Sequence, residues 1–369
     1  MKTITLAIFV FSVLFPSLSF SQSQSENSYN GALYELYFNR QPNAKAEAMG
    51  KGLVTNTEAD FGSYYNPALT SLGNGIVLNI SKTFLPRDET AYGYIGVGYS
   101  DSKLGSFSIS RYNYGRGITE GRGDKYHNSI HTLNYSREIS KGFYAGANVE
   151  LVHMGYLGSR YSDLQLGSPV FYYGDNFKSS DAFTLDLGIL RRVEFGNPQS
   201  KASNIFQVGA AIYNVTGSQI ENKNYKDLNE VLPVIFRAGI SLINNFFTDT
   251  KKTSSDFQMF TVIEFESVLN AQDVNTLKFG EQVIIGDFFI LRGGVTFRQK
   301  EINNDSYYTY TKNRAEFNLG AGLKLPLNKI VKSDVPLNLV VDFTPSLPET
   351  KTNKSFTNLS LSFNYTPKF

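Results

Sequence analysis

The pair of residues with the clearest potential for acid–base chemistry is Glu264 and Glu266, which alternate with Ile263 and Phe265. This alternation places both carboxylates on one face of a β-strand, where side chains at positions i and i+2 stand roughly 7 Å apart. Acid–base catalysis also needs a reacting group within reach, and the neighbouring sequence offers neither a nucleophile nor a metal ligand set. We therefore expect the two glutamates to form ion pairs, and we assign no catalytic residue.

Other charged residues lie on the polar face of neighbouring strand-like stretches, at positions that alternate with apolar residues. We call this odd or even placement along a strand its parity. A charge facing lipid at the middle of a membrane would cost about 2–4 kcal/mol. If the strands form a barrel, we expect these charges to face its lumen as an ion-pair lattice that holds an internal segment. The predicted lumen charges are Glu150, Asp186, Arg237, Glu264, Glu266, Arg292 and Arg298. Glu281 breaks the parity of its strand, and either a β-bulge or a position near the membrane interface would accommodate it.

The sequence contains little that would indicate binding of a metal, a cofactor or nucleic acid. The three histidines are His127, His131 and His153, and their scatter is more typical of ordinary loop residues than of a metal site. The absence of cysteine excludes disulfides, thiolate metal sites and cysteine nucleophiles. The glycine-rich stretch 115–123 lacks the strand-to-helix context of a phosphate loop. The net charge of +2 is too balanced to indicate nucleic acid. We predict no cofactor, no metal and no enzymatic activity.

The elements that would position these residues are strands. From residue 74 onward, strand-like stretches alternate with polar loops, and apolar and polar residues alternate within the stretches, as in Phe183, Leu185 and Leu187 against Thr184 and Asp186. About fourteen strands are predicted, an even number as single-chain bacterial barrels require. Their ranges are 74–84, 91–100, 104–114, 129–138, 142–156, 181–195, 204–215, 232–245, 257–270, 274–285, 287–298, 314–325, 335–344 and 356–369. The composition, with 18% charged and 41% hydrophobic residues, suits strands that face lipid on one side and water on the other.

The connections between the predicted strands sort by length. The long ones, such as 115–128, 157–180 and 299–313, fall on one side, whereas tight turns such as 101–103 and 139–141 fall on the other. Outer-membrane barrels have this arrangement, with short periplasmic turns and long extracellular loops. Aromatic residues in 157–180 and 306–312 could contact a partner or ligand, or could fold over the barrel mouth. A soluble sandwich has no reason to sort its loops in this way, so the alternative fold is a periplasmic antiparallel domain.

Both ends of the chain fit an outer-membrane protein. Residues 1–21 combine a basic start, a short apolar run and small residues, which predicts a signal peptide cleaved after Ser21. The last strand carries an apolar face that includes Phe363 and Tyr365, and the sequence ends at Phe369. We interpret these three aromatic residues as a barrel-closing signal, since a terminal aromatic resembles the signal read by the barrel assembly machinery.

Residues 22–73 lack strand alternation and read as an irregular, partly helical segment broken at Pro42. A barrel of about fourteen strands has a lumen wide enough to need filling. We therefore predict three parts: a signal peptide at 1–21, an N-terminal plug at 22–73 and a barrel at 74–369.

Two stretches in the predicted plug resemble the N-terminal signature of FadL-like barrels. They are Ala44–Gly52, which reads AKAEAMGKG, and Ala59–Leu69, which contains the plug motif Asn66, Pro67 and Ala68. The chain is especially similar to the PorV/PorQ-type branch of Bacteroidetes, although Met49–Gly52 departs from the more glycine-rich version of that branch. Weaker likenesses to strand motifs extend through the mature chain.

The resemblance implies a monomeric, non-enzymatic barrel in the outer membrane of a Gram-negative bacterium, with an N-terminal hatch and the outer-membrane lipid around it. A PorV/PorQ-type protein would serve type IX secretion and would contact secretion components or cargo at its surface loops. The alternative is a FadL-like channel that carries a hydrophobic small molecule through its lumen. A continuous tunnel would favour the second function over the first.

Overall fold

The structure is a computed structural model, and it describes residues 41–56, 61–84, 90–116, 125–157, 180–196, 202–220, 230–246, 256–269, 275–286, 288, 289–298, 314–327, 337–345 and 357–365. The predicted signal peptide, the first part of the predicted plug and Phe369 therefore lie outside the described residues. No helix among the described residues has the length and apolar character needed to cross a membrane.

Fourteen antiparallel strands close into a barrel, which confirms the fold class predicted from the sequence. The chain order is β1 Gly75–Phe84, β2 Thr90–Asp101, β3 Gly105–Arg116, β4 Lys125–Ser140, β5 Phe143–Leu157, β6 Ser180–Phe195, β7 Ala202–Tyr213, β8 Gln219–Ile220, β9 Glu230–Val231, β10 Ile235–Phe246, β11 Phe257–Val268, β12 Asn275–Ile285, β13 Phe289–Arg298, β14 Arg314–Pro326, β15 Leu337–Pro345 and β16 Thr357–Tyr365. The short strands β8 and β9 form a separate hairpin, in a stretch that the sequence left as a loop.

The barrel closes where the first strand pairs with the last. β1 and β16 run antiparallel, with Ile76 opposite Tyr365 and Phe84 opposite Thr357. Each remaining barrel strand pairs with the strands before and after it in the chain. The exception is β7, which pairs directly with β10 because β8 and β9 form the separate hairpin. Full closure removes the unpaired edges that an open sheet would leave in lipid.

Alternation along each strand gives the barrel an apolar outer face and a largely polar inner face. Phe183 is 68% exposed, whereas its neighbour Thr184 is 3% exposed and faces inward. The apolar outer residues of adjacent strands form one continuous surface, as the register partners Ile109 and Leu133 illustrate. This inside-out pattern is that of a transmembrane barrel.

Tight turns lie at one end of the barrel. Only residues 102–104 separate β2 from β3, and the Asp101 carboxylate accepts hydrogen bonds from the backbone amides of Lys103 and Leu104. Gly142, with φ of 69°, forms the turn between β4 and β5, where a side chain would be strained. The longest connections, which follow β5, β7, β13 and β15, join strands at the opposite end, which we call the long-loop end. Two connections of intermediate length, after β10 and β14, lie at the tight-turn end.

Among the described residues ahead of β1, there are two short helices and a 3₁₀ helix. α1 spans Ala44–Ala48, α2 spans Gly62–Tyr65 and the 3₁₀ helix spans Pro67–Leu72. The partly helical segment predicted for residues 22–73 is described only from residue 41, and α1 begins just after Pro42, where the sequence predicted a break.

Candidate functional site

Residues 41–56 and 61–72, which we call the luminal segment, lie inside the barrel. Asn43 caps α1 by accepting a hydrogen bond from the Ala46 amide at 2.6 Å. Asn66 caps the 3₁₀ helix by accepting one from the Ala68 amide at 3.0 Å, and Pro67 occupies the first helical position. These caps explain why the chain turns at both asparagines, because their side chains satisfy amides that the helix leaves unpaired.

The luminal segment follows the inner wall around most of its circumference. Its first turn meets β15 and β16, where Thr344 donates a hydrogen bond to the Ala44 carbonyl at 2.6 Å. Further along, Thr296 on β13 donates to the Gly50 carbonyl at 2.7 Å. The segment ends beside β2, where Ser100 donates to the carbonyl of Thr70 at 2.9 Å. One stretch of chain therefore joins strands from both ends of the barrel sequence.

Seven inward-facing glycines allow the luminal segment to touch the wall. A Cβ added to any of them would come closer than 3.0 Å to an atom of the segment. They are Gly146, Gly188, Gly209, Gly239, Gly280, Gly294 and Gly320, which we call the glycine track. Any larger residue at these positions would displace the segment from the wall. Glycine carries no hydropathy signal, so the alternation of polar and apolar residues does not reveal the track.

The plug motif lies at the centre of these contacts. The Asn66 side-chain amide donates to the carbonyls of Val54 and Ile189, both at 3.0 Å. The Pro67 carbonyl accepts from the Asn134 side chain at 3.0 Å. Ala68 is fully buried. The motif thus connects two parts of the luminal segment to β4 and β6.

Glu264 and Glu266 belong to a buried ion network. Lys278 donates to Glu264 at 2.9 Å and to Glu266 at 2.7 Å. Arg237 donates to Glu266 at 2.6 Å. The second oxygen of Glu264 accepts the backbone amide of Val54 at 2.8 Å. Two cations balance two carboxylates, and the network holds the luminal segment against β11 rather than presenting an acid and a base to a substrate.

Lys278 was absent from the sequence prediction, although its parity places it inside. It lies directly opposite Glu264 in the register of β11 and β12. Lys51 was also missed; it crosses from the luminal segment to Glu316 on β14 with an N–O distance of 2.9 Å. Neither pairing is visible in the sequence, because the register between strands and the path of the segment are non-local.

The remaining predicted charges are buried on the inner face but separate from that network. Arg292 pairs with Asp342 at 2.6 Å. Glu150 accepts a hydrogen bond from Thr132 at 2.8 Å. Asp186 accepts bonds from the Asn148 side chain and the Asn214 amide, at 3.0 and 2.9 Å.

Arg298 is buried too, with 8% of its surface exposed. Among the described residues, no group of three or more histidine, aspartate and glutamate side chains could hold a metal ion.

Aromatic side chains fill the lumen beside β2 and β3. The ring of Phe61 lies 4.8 Å from that of Tyr94, and the ring of Tyr64 lies 5.4 Å from that of Tyr112. Burial raises the pKa of the Tyr65 phenol, whose oxygen has no hydrogen-bond partner among the described residues. Toward the long-loop end the wall continues this apolar surface with Tyr92, Ile130, Val152 and Ala182.

A small cavity lies between α2 and the wall formed by β1, β2 and β3. It has a volume of about 20 Å³, which is room for about one water molecule. Phe61 and Tyr94 line its inner side, and Gly96 and Gly98 form the wall behind them. Val97, Phe107 and Ile109 also line it, although their side chains belong to the outer face of the barrel. The cavity thus lies against the wall formed by β2 and β3.

Several predicted residues lie on the outer face. Phe363 and Tyr365 occupy outward positions on β16, opposite Leu78 and Ile76 of β1. Glu281 is exposed on β12, and the register of this strand continues without a shift on both sides, so no bulge turns it inward.

The histidines do not converge. His131 and His153 point outward on β4 and β5, and His153 pairs with Asp181 at 2.6 Å. His127 lies on β4, opposite Gly115 and Gly155 in register.

No family model matches this chain, and no curated protein matches its sequence. Solved structures of similar shape are found. The Pseudomonas putida toluene transporter TodX shares 12% identity over 89% of this chain and 98% of that chain, with a TM-score of 0.46. A Pseudomonas aeruginosa FadL homologue shares 10% identity over 89% and 98%, with a TM-score of 0.48. The Ralstonia pickettii toluene transporter TbuX shares 11% identity over 88% and 98%, with a TM-score of 0.48.

Proposed function

We propose that this protein is an outer-membrane channel for small hydrophobic molecules and that its N-terminal segment plugs the lumen. The observation that carries the proposal is the small cavity between α2 and β1–β3, which lies between the luminal rings of Phe61 and Tyr94 and a part of the wall with small side chains. A solute channel needs a path from an apolar interior to an opening, and we propose that such a path begins at this cavity.

The wall is thin where this cavity meets it. Gly96 and Gly98 of β2 face the lumen, and their register partners on β3 are Ser110 and Ser108. Small side chains on two neighbouring strands leave little between the aromatic cluster of Phe61 and Tyr94 and the lipid. A modest shift of α2 would enlarge the cavity without breaking a strand pair.

The polarity of the lumen supports the same function. The inner wall of β2–β6 carries Tyr92, Tyr112, Ile130 and Val152 toward the long-loop end. The inner wall of β10–β15 instead carries the ion network and the Arg292–Asp342 pair. A hydrophobic solute would enter along the apolar side, because leaving water for an apolar surface is favourable and leaving it for charged groups is not.

The luminal segment closes the direct route through the barrel. Its backbone rests on the glycine track, and its amide at Val54 is bonded to the buried Glu264. Passage straight through would require these contacts to break together. We therefore place the exit sideways, through the thin wall, and assign the segment the role of a fixed plug.

An uptake assay tests the channel function. Ser108→Leu would fill the cavity, whereas Ile109→Leu keeps the volume of a residue that also lines it. We expect a bacterial host that produces the wild-type barrel or Ile109→Leu to take up labelled toluene faster than the empty host, and the Ser108→Leu barrel to lose most of that gain. Equal uptake by the empty host and all three barrels would refute the proposal.

The secretion function that the PorV/PorQ resemblance implies depends on the surface loops. Its candidate contacts in 158–179 and 306–312 lie outside the described residues. Shortening these loops distinguishes the two functions. If the barrel serves secretion, the shortened variant should lose surface display of exported proteins. If the barrel is only a solute channel, surface display should not change.

A further inference from the structure

Glu281 is the single charged residue on the outer face of β10–β14, among the residues of these strands that the structure describes. Its side chain is exposed, and the alternation of β12 places it between Phe279 and Val283 on the lipid-facing side. The register partners of Glu281 are Thr261 on β11 and Gly293 on β13, and both also face outward. The acidic side chain therefore stands in a short polar row on a largely apolar surface.

Two apolar and aromatic rows, each four residues away along β12, mark the height of this polar row. The row toward the long-loop end contains the register partners Phe265, Leu277 and Phe297. The row toward the tight-turn end contains the register partners Phe257, Ile285 and Phe289. Aromatic rings collect at the two membrane interfaces of outer-membrane barrels. The two rows lie roughly 20 Å apart along the barrel axis, so Glu281 stands near the middle of the membrane, away from either interface.

A carboxyl group at this height needs a polar partner. Ionisable residues inside a membrane are costly and rare, and those that are retained generally meet another polar group of a protein. Within the part of the chain that the structure describes, no side chain forms a hydrogen bond or an ion pair with the Glu281 carboxylate. Lipid acyl chains carry no polar group. A second protein chain in the membrane is therefore the source from which we expect the partner of Glu281.

The surface beside Glu281 is open to such a chain. Gly293 has no side chain, so β13 has a depression between Leu291 and Val295, directly beside the carboxylate. A Cβ built on Gly293 would lie 3.5 Å from the Leu319 side chain, an ordinary contact distance, so the neighbouring strand does not fill this depression. Small residues at the lipid-facing surface allow two membrane-spanning proteins to approach closely.

We propose that the outer face of β11–β13 centred on Glu281, which we call the Glu281 face, is a dimer interface between two copies of this barrel. Two barrels inserted in the same direction are related by a two-fold axis along the membrane normal, so each residue meets residues near its own height in the other copy. The Thr261 hydroxyl is a donor close to the height of Glu281. Thr261 of each copy then donates to Glu281 of the other, which keeps the two carboxylates apart.

The Glu281 face lies on the far side of the barrel from β2 and β3. A dimer formed through this face would leave the wall beside the cavity in contact with lipid. The inference therefore stands independently of the proposed solute channel. It replaces the monomeric barrel that the family resemblance implies.

Crosslinking through introduced cysteines tests the interface, because the natural chain contains no cysteine. Met259→Cys places one thiol at the outward position next to Thr261 on β11. Ile95→Cys is the matched control, since residue 95 lies on β2 and is 52% exposed on the far side of the barrel. A short bifunctional maleimide is added to outer membranes that contain the full-length variants. We expect Met259→Cys to give a product of twice the barrel mass and Ile95→Cys to stay monomeric.

Dimer affinity tests the polar contact. Förster transfer between dye-labelled barrels in liposomes, measured as lipid is added, gives the dissociation constant. Glu281→Leu and Thr261→Val should each raise it about tenfold or more, because every dimer loses two hydrogen bonds to a carboxylate. Thr261→Ser keeps the hydroxyl and should dimerise as the wild type does. Heat-modifiable migration checks that each variant is folded.

Three outcomes would overturn the proposal. In the first, Ile95→Cys crosslinks as readily as Met259→Cys, which would indicate random collision. In the second, Met259→Cys crosslinks to a protein of another mass instead of a second copy. In the third, folded Glu281→Leu and Thr261→Val barrels dimerise as tightly as the wild type.

Discussion

Gly294 of the barrel wall lies against Gly50 of the luminal segment, backbone to backbone. A Cβ on Gly294 would collide with the Gly50 amide and would stand 2.8 Å from the α-carbon of Met49. The fit holds only while both positions lack side chains, because Gly50 also has a φ of 64° and little space around it. Glycines of the wall therefore determine where the segment lies in the lumen, together with the residues of the segment itself.

Adding one methyl group tests this fit. Gly294→Ala should cost about 1–3 kcal/mol as overpacking and should loosen the luminal segment. Gly293→Ala is a close control, since the neighbouring glycine faces outward and its added Cβ would lie at ordinary contact distances, 3.5 Å from the Leu319 side chain and 4.0 Å from the Asn318 carbonyl. Thermal unfolding in detergent and cleavage by trypsin next to Lys51 provide the readouts. Equal behaviour of the two variants would contradict the glycine track.

The second prediction concerns the buried ion network. Lys278→Met leaves Glu264 and Glu266 with Arg237 as their remaining cation, and an uncompensated buried charge costs about 3–5 kcal/mol. Adding Glu264→Gln to Lys278→Met should recover much of that loss, because the glutamine still accepts the Val54 amide. Unfolding free energies of the single and double variants give the coupling. If the two losses simply add, Glu264 and Lys278 do not act as a pair.

Local alternation was enough to predict the closed barrel of fourteen strands, because apolar and polar positions alternate within each strand. Boundaries were less accurate: β4 begins at Lys125, four residues before the predicted 129. What the sequence could not supply is non-local. The partnership of Lys278 with Glu264 depends on strand register, and the contact between Thr344 and Ala44 joins residues 300 positions apart. Neither relationship leaves a periodic signal.

The closing strand gives a third prediction. Phe363 and Tyr365 face outward and lie opposite Leu339 and Leu337 on β15 as well as the β1 residues. Changing both to aspartate places charges in the lipid-facing seam, and we expect the barrel to fail to assemble, as we do for deletion of Phe369. Asn364→Asp is the control, because residue 364 has the opposite parity and faces the lumen. Normal membrane levels of the double variant, measured by heat-modifiable migration, would argue against a closing signal.

The last prediction concerns the plug that the sequence predicts for residues 22–73. Deleting residues 26–66 removes the stretch that rests on Gly239, Gly280 and Gly294 and that bonds to Glu264. The wall would then enclose a wide lumen whose polar and charged side chains favour water. Single-channel conductance in planar bilayers should rise from near closure to a stable open level, and cells should become sensitive to large antibiotics. The Gly293→Ala barrel serves as a full-length control and should stay closed. If the deletion variant folds, as judged by heat-modifiable migration, but its conductance and the antibiotic sensitivity do not change, the segment is not a plug and the sideways exit proposed for hydrophobic solutes loses its reason.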